Sequence, residues 1–261
     1  MFRSLHIAAT GMAAQESQLD SISNNLANSN TVGYKKVRAD FQDLVYQNVQ
    51  ASGAQTSATT TSPTGLQVGS GVRIVSTTRQ FGQGALQTTG NPLDVAIEGS
   101  GFFVVQQPDG THAYTRAGAL KTDAQGRIVT PEGMPIDPPI TVPPEAQSIT
   151  IGSDGIVSAS IKGRNTPTQL GQLQIAAFVN PAGLSPLGHN LLQATAASGD
   201  PQLGNPGSDS RGTLLQNTIE HSNVEVVEEM IALIAAQRTY DVNTKVIAAA
   251  DDMLRTATQM R

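Results

Sequence analysis

Four histidines are the first residues of this sequence that could bind a metal ion or carry a proton: His6, His112, His189 and His221. They are far apart in the sequence, and none belongs to an HExxH pattern or to another spacing that metal ligands use. We therefore expect each of them to be a surface residue. The sequence predicts no metal site and no bound cofactor.

Asp94 and Glu98 are a candidate acid pair, because they fall on one face of a predicted strand and paired carboxylates can perform general acid-base catalysis. A solvated strand face is the simpler interpretation, and we expect both side chains to be exposed. The glycine-rich fragments at Gly69 and Gly99 lack the third glycine and the following helix of a nucleotide-binding loop. Without cysteine, a G-x-S-x-G motif or a P-loop, the sequence gives no positive sign of an enzyme.

Charge and hydropathy argue against two kinds of partner. The net charge of −5 and the pI near 5.3 disfavour nucleic acid, whose binding needs clustered Lys and Arg. The densest basic group is Lys35, Lys36 and Arg38, which we expect to be solvated. The sequence shows no apolar run of membrane-spanning length and no signal peptide, so we expect neither membrane insertion nor a cleaved leader.

The start of the chain has the periodicity of a long amphipathic helix. Apolar residues alternate between three-residue and four-residue steps, which is the spacing of a coiled-coil seam with Gln15 as one polar member. The apolar members are Leu5, Ala8, Met12, Leu19, Ile22 and Leu26. Asparagines then cluster in "NNLANSN", which predicts the end of the helix, and Gly33 can provide a left-handed exit.

The end of the chain predicts a second and longer helix. Ser222 and Glu225 have the spacing of a capping box, and no Gly or Pro follows Val224, so one helix of about 50 Å is expected. Its apolar face, interrupted by Arg238, comprises Val227, Ile231, Ile234, Val242, Val246, Ala250, Met253, Ala257 and Met260. We expect this face to pair with the first helix, which would leave the flanking residues Leu233, Ala235, Ala236, Ala248 and Ala249 exposed.

The sequence between the helices changes character twice. No residue from Leu44 to Val72 is charged, and the tract "QASGAQTSATTTSPTG" has low complexity, which predicts an extended arm that orders on assembly. From Asp94 onward, turn signals recur about every ten residues, which predicts a compact all-β domain. The predicted fold class is therefore α+β. Its domains are a helical domain at 1–33 and 222–261, an arm with a β hairpin at 34–93, and an all-β outer domain with a connector at 94–221.

The two predicted helices need partners. An isolated helix as short as the first is marginal in water, and burying each large apolar side chain contributes roughly 1.5–3 kcal/mol. Two helices make only one thin layer, so apolar surface remains for other copies of the chain. A self-contained bundle packed on the β domain is the alternative. The candidate assembly interface comprises Leu5, Met12, Leu19, Ile22, Asn25, Leu26, Asn28, Val227, Ile231, Ile234, Val242, Val246 and Met253.

Several ordered sequence blocks carry a family resemblance. "LDSISNNLANSNTVGYKK" has an Asn-Asn-Leu-Ala-Asn core, then Asn-Thr-x-Gly and an aromatic-Lys pair, and it resembles the signature of bacterial flagellar rod and hook proteins. Tyr34 stands where Phe is commoner, and Ser29 where Val is frequent. The blocks "IEGSGFFVV", "YTRAGAL" and "SNVEVVEEMIALIAAQRTYDVNTKVI" are similar to further parts of the family, so the resemblance covers the whole chain. The uncharged arm and the length most resemble the members that form the distal rod.

The resemblance implies a structural role. It implies that the terminal helices pair as a coiled-coil-like inner domain, that copies stack into a hollow helical drive shaft across the periplasm, and that the β domain lies outside. It also implies export through the flagellar type III apparatus without cleavage, contacts with proximal rod and hook-side proteins and with surrounding bushing rings, and an arm at Leu44 to Val72 that wedges between neighbouring copies. Two alternatives remain open: a proximal rod protein with a β domain, and a peptidoglycan-cleaving enzyme with a cleft near Asp94, Glu98 or Asp109.

Overall fold

Long helices lie near both ends of the chain. The structure, a computed structural model, describes residues 2–53, 63–162, 166–209 and 211–259. Helix α1 spans Phe2–Ala27, and helix α2 spans Val226–Gln259. The 34 residues of α2 contain no Gly or Pro, and at about 1.5 Å each they give a length of about 50 Å. The prediction of one uninterrupted C-terminal helix is confirmed.

The start of α2 differs from the prediction. Because the helix begins at Val226, the capping box predicted at Ser222 is wrong. Ser222 Oγ accepts a hydrogen bond from Val224 N at 3.3 Å, within the turn that leads to the helix. The carbonyl of Glu225 instead accepts the hydrogen bond from Glu229 N at 3.0 Å. Ser222 accepts a backbone hydrogen bond within a turn, as a helix N-cap serine would, so its spacing from Glu225 resembled a capping box.

The chain divides into two compact units. One, here called the helical unit, comprises Met1–Leu26, Val37–Thr78 and Glu225–Arg261. The other, here called the β unit, comprises Ala27–Lys36 and Arg79–Val224. The segment after the asparagine cluster thus belongs to the β unit and not to the helices. Helices and sheets together confirm the predicted α+β class.

The described strands of the helical unit form two pairs, β1 with β4 and β2 with β3. They are β1 (Val37–Asp43), β2 (Gln47–Gln50), β3 (Leu66–Val68) and β4 (Val72–Arg79), the last of which ends one residue inside the β unit. Strands β2 and β3 are antiparallel, with Asn48 opposite Gln67. Residues 54–62 of the predicted low-complexity arm lie outside the described residues.

A six-stranded antiparallel sheet is the centre of the β unit, in the order β15-β16-β8-β7-β14-β17. A three-stranded sheet, β11-β12-β13, and the pairs β5-β19, β6-β18 and β9-β10 complete the unit. The strands are β5 (Leu86–Thr88), β6 (Val95–Glu98), β7 (Phe102–Gln106), β8 (His112–Thr115), β9 (Lys121–Thr122), β10 (Ile128–Val129), β11 (Ala146–Ile151), β12 (Ile156–Ile161), β13 (Thr168–Gln172), β14 (Ile175–Ala177), β15 (Ser185–Gly188), β16 (Leu191–Gln193), β17 (Gln202–Gly204), β18 (Thr213–Gln216) and β19 (Thr218–Glu220).

At its central strand β7, the six-stranded sheet is buried on both faces. Successive side chains of a strand point to opposite faces, and in β7 the two kinds of position enter different clusters. Phe103 packs among the large aliphatic residues of one core, while Phe102 and Val104 pack with Tyr114 in the other. This double burial explains why "FFVV" is continuously apolar instead of alternating. Phe178 joins the second cluster, with its ring centroid 4.8 Å from that of Tyr114 in an edge-to-face contact.

Two strand pairs join the beginning and the end of the β unit. In the first pair, Leu214 of β18 lies opposite Ile97 of β6. In the second, Ile219 of β19 lies opposite Gln87 of β5. The last strands before α2 are therefore partners of the first strands after β4, and this pairing places Glu220 inside the unit.

Candidate assembly site

The predicted stripe of α1 is the buried side of that helix. Its members are buried or half-buried: Leu5, Ala8, Met12, Leu19, Ile22 and Leu26. Two contacts show that this part of α1 packs on α2. A Cβ atom built on Gly11 would lie 3.2 Å from Asn243 Nδ2, and Met12 Sδ lies 3.9 Å from Thr244 Oγ1. The structure therefore brings the α1 members of the candidate interface against the chain's own second helix.

Helix α2 faces α1 with a different side from the one predicted. Its inner positions recur every seven residues, where Glu229, Ala236 and Ala250 are buried and Asn243 is half-buried. Glu229 and Asn243 contact α1 directly. The predicted pairing with α1 is wrong for the exposed residues Val227, Ile231, Ile234 and Val242, but Ala250 of the predicted face is buried and Val246 lines a cavity with Ile7, Ala8 and Gly11 of α1. The expectation that Leu233 and Ala236 are exposed is also wrong. Small and polar residues form the centre of the inner side of α2, in the heptad spacing of a coiled coil, and the half-buried Leu233, Ile247 and Leu254 flank it.

The most exposed large apolar residues of α2 lie on its outer side. Val227 and Ile231 are 70% and 63% exposed. Val227 precedes the buried Glu229 by two positions, and two residues turn an α-helix through about 200°, so the two side chains lie on opposite sides. We call the exposed outer residues the bare stripe: Val227, Met230, Ile231, Ile234 and Val242. Four of the six α2 residues of the candidate interface belong to it. The other two, Val246 and Met253, each follow an inner position by three residues and therefore lie beside the inner side, where Val246 lines a cavity with residues of α1.

The strands of the helical unit expose further apolar side chains. Val45 is 86% exposed and Val49 is 61% exposed, on or beside β2. The other exposed members are Phe41, Tyr46, Leu66, Ile74 and Val75. Such a number of exposed large apolar side chains on four neighbouring strands of the chain is typical of a surface that another chain covers.

The two asparagines of the candidate interface serve the fold of the chain itself. Asn25 is 2% exposed, and its Nδ2 donates to Glu229 Oε2 at 3.3 Å. Asn28 accepts two bonds from Thr31, from the backbone N to its carbonyl at 3.1 Å and from Oγ1 to its Oδ1 at 3.1 Å. These bonds end α1 and close the following turn, which Gly33 leaves with φ of 72°, as predicted.

A buried charged cluster, formed by Lys35, Arg116 and Glu220, lies inside the β unit. Lys35 Nζ donates to Glu220 Oε1 at 2.6 Å, and Arg116 Nε lies 3.5 Å from Glu220 Oε2. The three residues are 2%, 5% and 1% exposed. The expectation that Lys35 is solvated is therefore wrong. Burial lowers the pKa of Lys35, and its hydrogen bond to Glu220 offsets part of that effect.

Sequence reasoning missed this cluster, although each member lies in or beside a recognised block. Lys35 is the penultimate residue of the signature segment, Arg116 is the arginine of "YTRAGAL", and Glu220 comes two residues before the block that opens with Ser222. Gly33 also belongs to this arrangement, since its N donates to Glu220 O at 2.8 Å. Residues in or beside three separate sequence blocks therefore meet at one place in the β unit.

The residues considered for catalysis do not form a comparable site. Asp94, expected to be exposed, is buried and accepts hydrogen bonds from Thr89 Oγ1 at 2.6 Å and from Asn91 Nδ2 at 2.8 Å, while Glu98 is exposed as expected. Within the described ranges, no group of three or more His, Asp or Glu residues could hold a metal ion. In the same ranges, neither helix is apolar enough over its length to span a bilayer.

Three family profiles match successive parts of this chain. Residues 5–35 match the profile described as "Flagella basal body rod protein". Residues 96–159 match "Flagellar hook protein FlgE/F/G D1 domain". Residues 215–260 match "Flagellar basal body rod FlgEFG protein C-terminal". The first match covers most of α1 and the signature, the second lies within the β unit, and the third covers the end of the β unit and α2.

Relatives from distant bacteria are similar over their full length. The flagellar basal-body rod protein FlgG of Borreliella burgdorferi is 47% identical, covering 100% of this chain and 99% of the relative. FlgG of Caulobacter vibrioides is 47% identical, covering 99% of both chains. FlgG of Bacillus subtilis is 38% identical, covering 98% of this chain and 97% of the relative.

Proposed function

The chain belongs to the FlgG family of flagellar basal-body rod proteins, and on that premise we propose that it polymerises through the bare stripe of α2. As a member of this family it is a structural subunit of the flagellar distal rod and part of the basal body. The full-length similarity to FlgG proteins does not favour the proximal rod alternative. The relatives are structural proteins, which agrees with the expectation that the chain is not an enzyme.

The exposure of the bare stripe is the observation that carries this proposal. The inner side of α2 packs on α1, whereas the five outer residues of the bare stripe are exposed and available to another copy. Fully burying one such side chain contributes roughly 1.5–3 kcal/mol, and several of them can offset the loss of freedom on association. The exposed apolar residues of the arm extend the surface that a neighbouring copy can cover.

The geometry of the polymer is part of the proposal. A stripe on one side of a helix and an arm elsewhere on the chain are different surfaces, so the contact between copies is head-to-tail. Repeated contacts of this kind that do not close give a helical filament. We propose a hollow tube across the periplasm, continuous with proximal rod and hook-side proteins, surrounded by bushing rings and built from subunits exported without cleavage.

A charge placed on the bare stripe tests the proposal. Ile231→Glu puts a carboxylate in the centre of the stripe, where burial against a second copy would remove it from water. Thr239→Glu is the matched control, since Thr239 is exposed on the same helix and lies outside the stripe. With circular dichroism as the check on folding, we expect wild type and Thr239→Glu to form filaments in electron micrographs as concentration rises, and Ile231→Glu to stay monomeric. Filaments of Ile231→Glu at the wild-type critical concentration would refute the proposal.

A further inference from the structure

The chain enters or leaves the β unit at four places: before Ala27, after Lys36, before Arg79 and after Val224. The residues beside the last three of these places are bonded to one another. Lys36 N donates to Asn223 Oδ1 at 2.7 Å, Gln80 N donates to Lys36 O at 2.8 Å, and Asn223 Nδ2 donates to Gln80 O at 2.9 Å. We call Lys36, Gln80 and Asn223 the exit cluster. Three of the four connections therefore leave the β unit from one hydrogen-bonded group.

The charged cluster lies next to the exit cluster along each of the three segments. Lys35 precedes Lys36, and its Nζ bonds Glu220 Oε1 at 2.6 Å and Gly82 O at 2.7 Å. Gly84 N also donates to Glu220 Oε1, at 2.9 Å. Glu220 is three residues before Asn223 in the sequence. Glu220 lies in the third of these segments, and its carboxylate accepts hydrogen bonds from Lys35 and Gly84 in the other two. Arg116 lies beside this carboxylate and donates from Nη2 to Gly99 O at 2.7 Å, which links the charged cluster to the rest of the β unit.

The composition of the charged cluster is unfavourable for stability alone. It holds two cations and one anion away from water, and Arg116 Nη1 and Glu220 Oε2 make no hydrogen bond to the described residues. Apolar side chains of similar size often replace such buried groups without loss of stability. Directed hydrogen bonds differ from apolar contacts because they fix which atoms meet and at what distance. Such a cluster can therefore fix the positions of the segments that it bonds more than it can raise the stability of the fold.

We propose that the charged cluster serves assembly by fixing the places where these three connections leave the β unit, so that the connections have the same positions in every copy. The inference rests on the proposed function, because identical exits matter only when copies must repeat in a regular polymer. Lys35, Arg116 and Glu220 are positioning residues, which act through the exit cluster and not by touching a neighbouring copy.

The test separates stability from position. Glu220→Leu alone leaves two buried cations without a partner, and we expect it to lower Tm by roughly 10 °C. The triple variant Lys35→Met/Arg116→Met/Glu220→Leu removes every charge of the cluster, and we expect its Tm to return to within about 3 °C of wild type. Amide hydrogen exchange at residues 33–36, 79–84 and 220–224 should nevertheless be at least about tenfold faster in the triple variant, and its critical concentration for filaments at least about tenfold higher.

Two results would overturn the inference: wild-type exchange protection at these residues in the triple variant, or filaments of the triple variant at the wild-type critical concentration. If the triple variant does not fold, Asn223→Ala decides, since it breaks the exit cluster without stranding a charge. We expect that variant to fold and to show the same faster exchange, and wild-type protection in it would refute the inference. Failure of the wild-type chain to polymerise would instead refute the proposed function, and the exchange comparison would still decide the role of the cluster.

Discussion

The side chain of Asn25 bonds the backbone of Val37 through both of its polar atoms. Nδ2 donates to Val37 O at 2.8 Å, and Oδ1 accepts from Val37 N at 2.9 Å. Asn25 lies two residues before the end of α1, and Val37 is the first residue of β1. One side chain thus takes the place of a neighbouring strand for Val37 and joins the end of the helix to the start of the sheet.

Replacement of Asn25 by Asp should destabilise the helical unit. A carboxylate cannot donate to Val37 O, and it would place a second negative charge 3.3 Å from Glu229 Oε2. Leaving a buried carbonyl without a partner costs about 1–3 kcal/mol, and we expect a loss in that range. Urea unfolding followed by circular dichroism measures it, with Asn30→Asp on the exposed turn as the control. Equal stability of the two variants would show that the Val37 bonds contribute little.

Gly33→Ala should be more damaging than the same change at another left-handed glycine. Gly33 has φ of 72°, and an added Cβ would lie 2.5 Å from Ala117 N and 2.7 Å from Arg116 C. Gly110 has φ of 84° with nothing within 4 Å of the added atom. Both variants incur a left-handed penalty of about 1–2 kcal/mol, but only Gly33→Ala must also displace backbone. Thermal unfolding measures the Tm of both variants, and the difference between the two Tm values reports the effect of the backbone contact at Gly33. Equal Tm values would contradict the packing described for Gly33.

Thr78→Val should change the titration of Asp40. The hydrogen bond from Thr78 Oγ1 is the main cause that holds the pKa of Asp40 below its ordinary value of 3.8, and bonds from Arg38 and Ser76 contribute less. Because the folded-state pKa is lowered, Asp40 stabilises the β1–β4 pair above the unfolded pKa, and this contribution disappears as pH falls through the folded value. Thr78→Val should raise the pKa of Asp40, so that the loss begins at a higher pH.

Carboxyl chemical shifts measured against pH test this prediction. Asp109 serves as an internal control in the same sample, because its lowered pKa comes mainly from the Thr111 hydroxyl and should not change. A pKa of Asp40 that is the same in wild type and Thr78→Val would show that the hydroxyl does not stabilise the carboxylate.

The sequence was most informative where local chemistry decides the structure. The asparagine cluster ended α1 and Gly33 made the exit, while the absence of Gly and Pro gave α2 its length. The choice of the inner side of α2 failed for a physical reason. Hydrophobic periodicity selects the largest apolar residues as the ones buried within the chain, but here Val227 and Ile231 face outward and Ala236 faces inward. In a subunit of a polymer, the most apolar side of a helix can face a neighbouring copy instead of the interior of its own chain.

The charged cluster lay beyond sequence reasoning for a different reason. Lys35 and Glu220 are 185 positions apart, and no periodicity within either segment refers to the other. The strand pairing of β19 with β5 and the bond from Gly33 N to Glu220 O hold Glu220 in the β unit. A lysine outside helices and strands is normally solvated, so the general rule for lysine gave the wrong environment for Lys35.

The pairing of β18 with β6 and of β19 with β5 has a consequence for biosynthesis. Ribosomes deliver the chain from its N-terminus, so Ile97 and Gln87 appear long before Leu214 and Ile219, the residues that lie opposite them. Until then β5 and β6 lack their partner strands, and Lys35 lacks the Glu220 carboxylate with which it pairs in the folded chain. This molecule must therefore remain incomplete for most of its translation, and its β unit closes only near the end of the process.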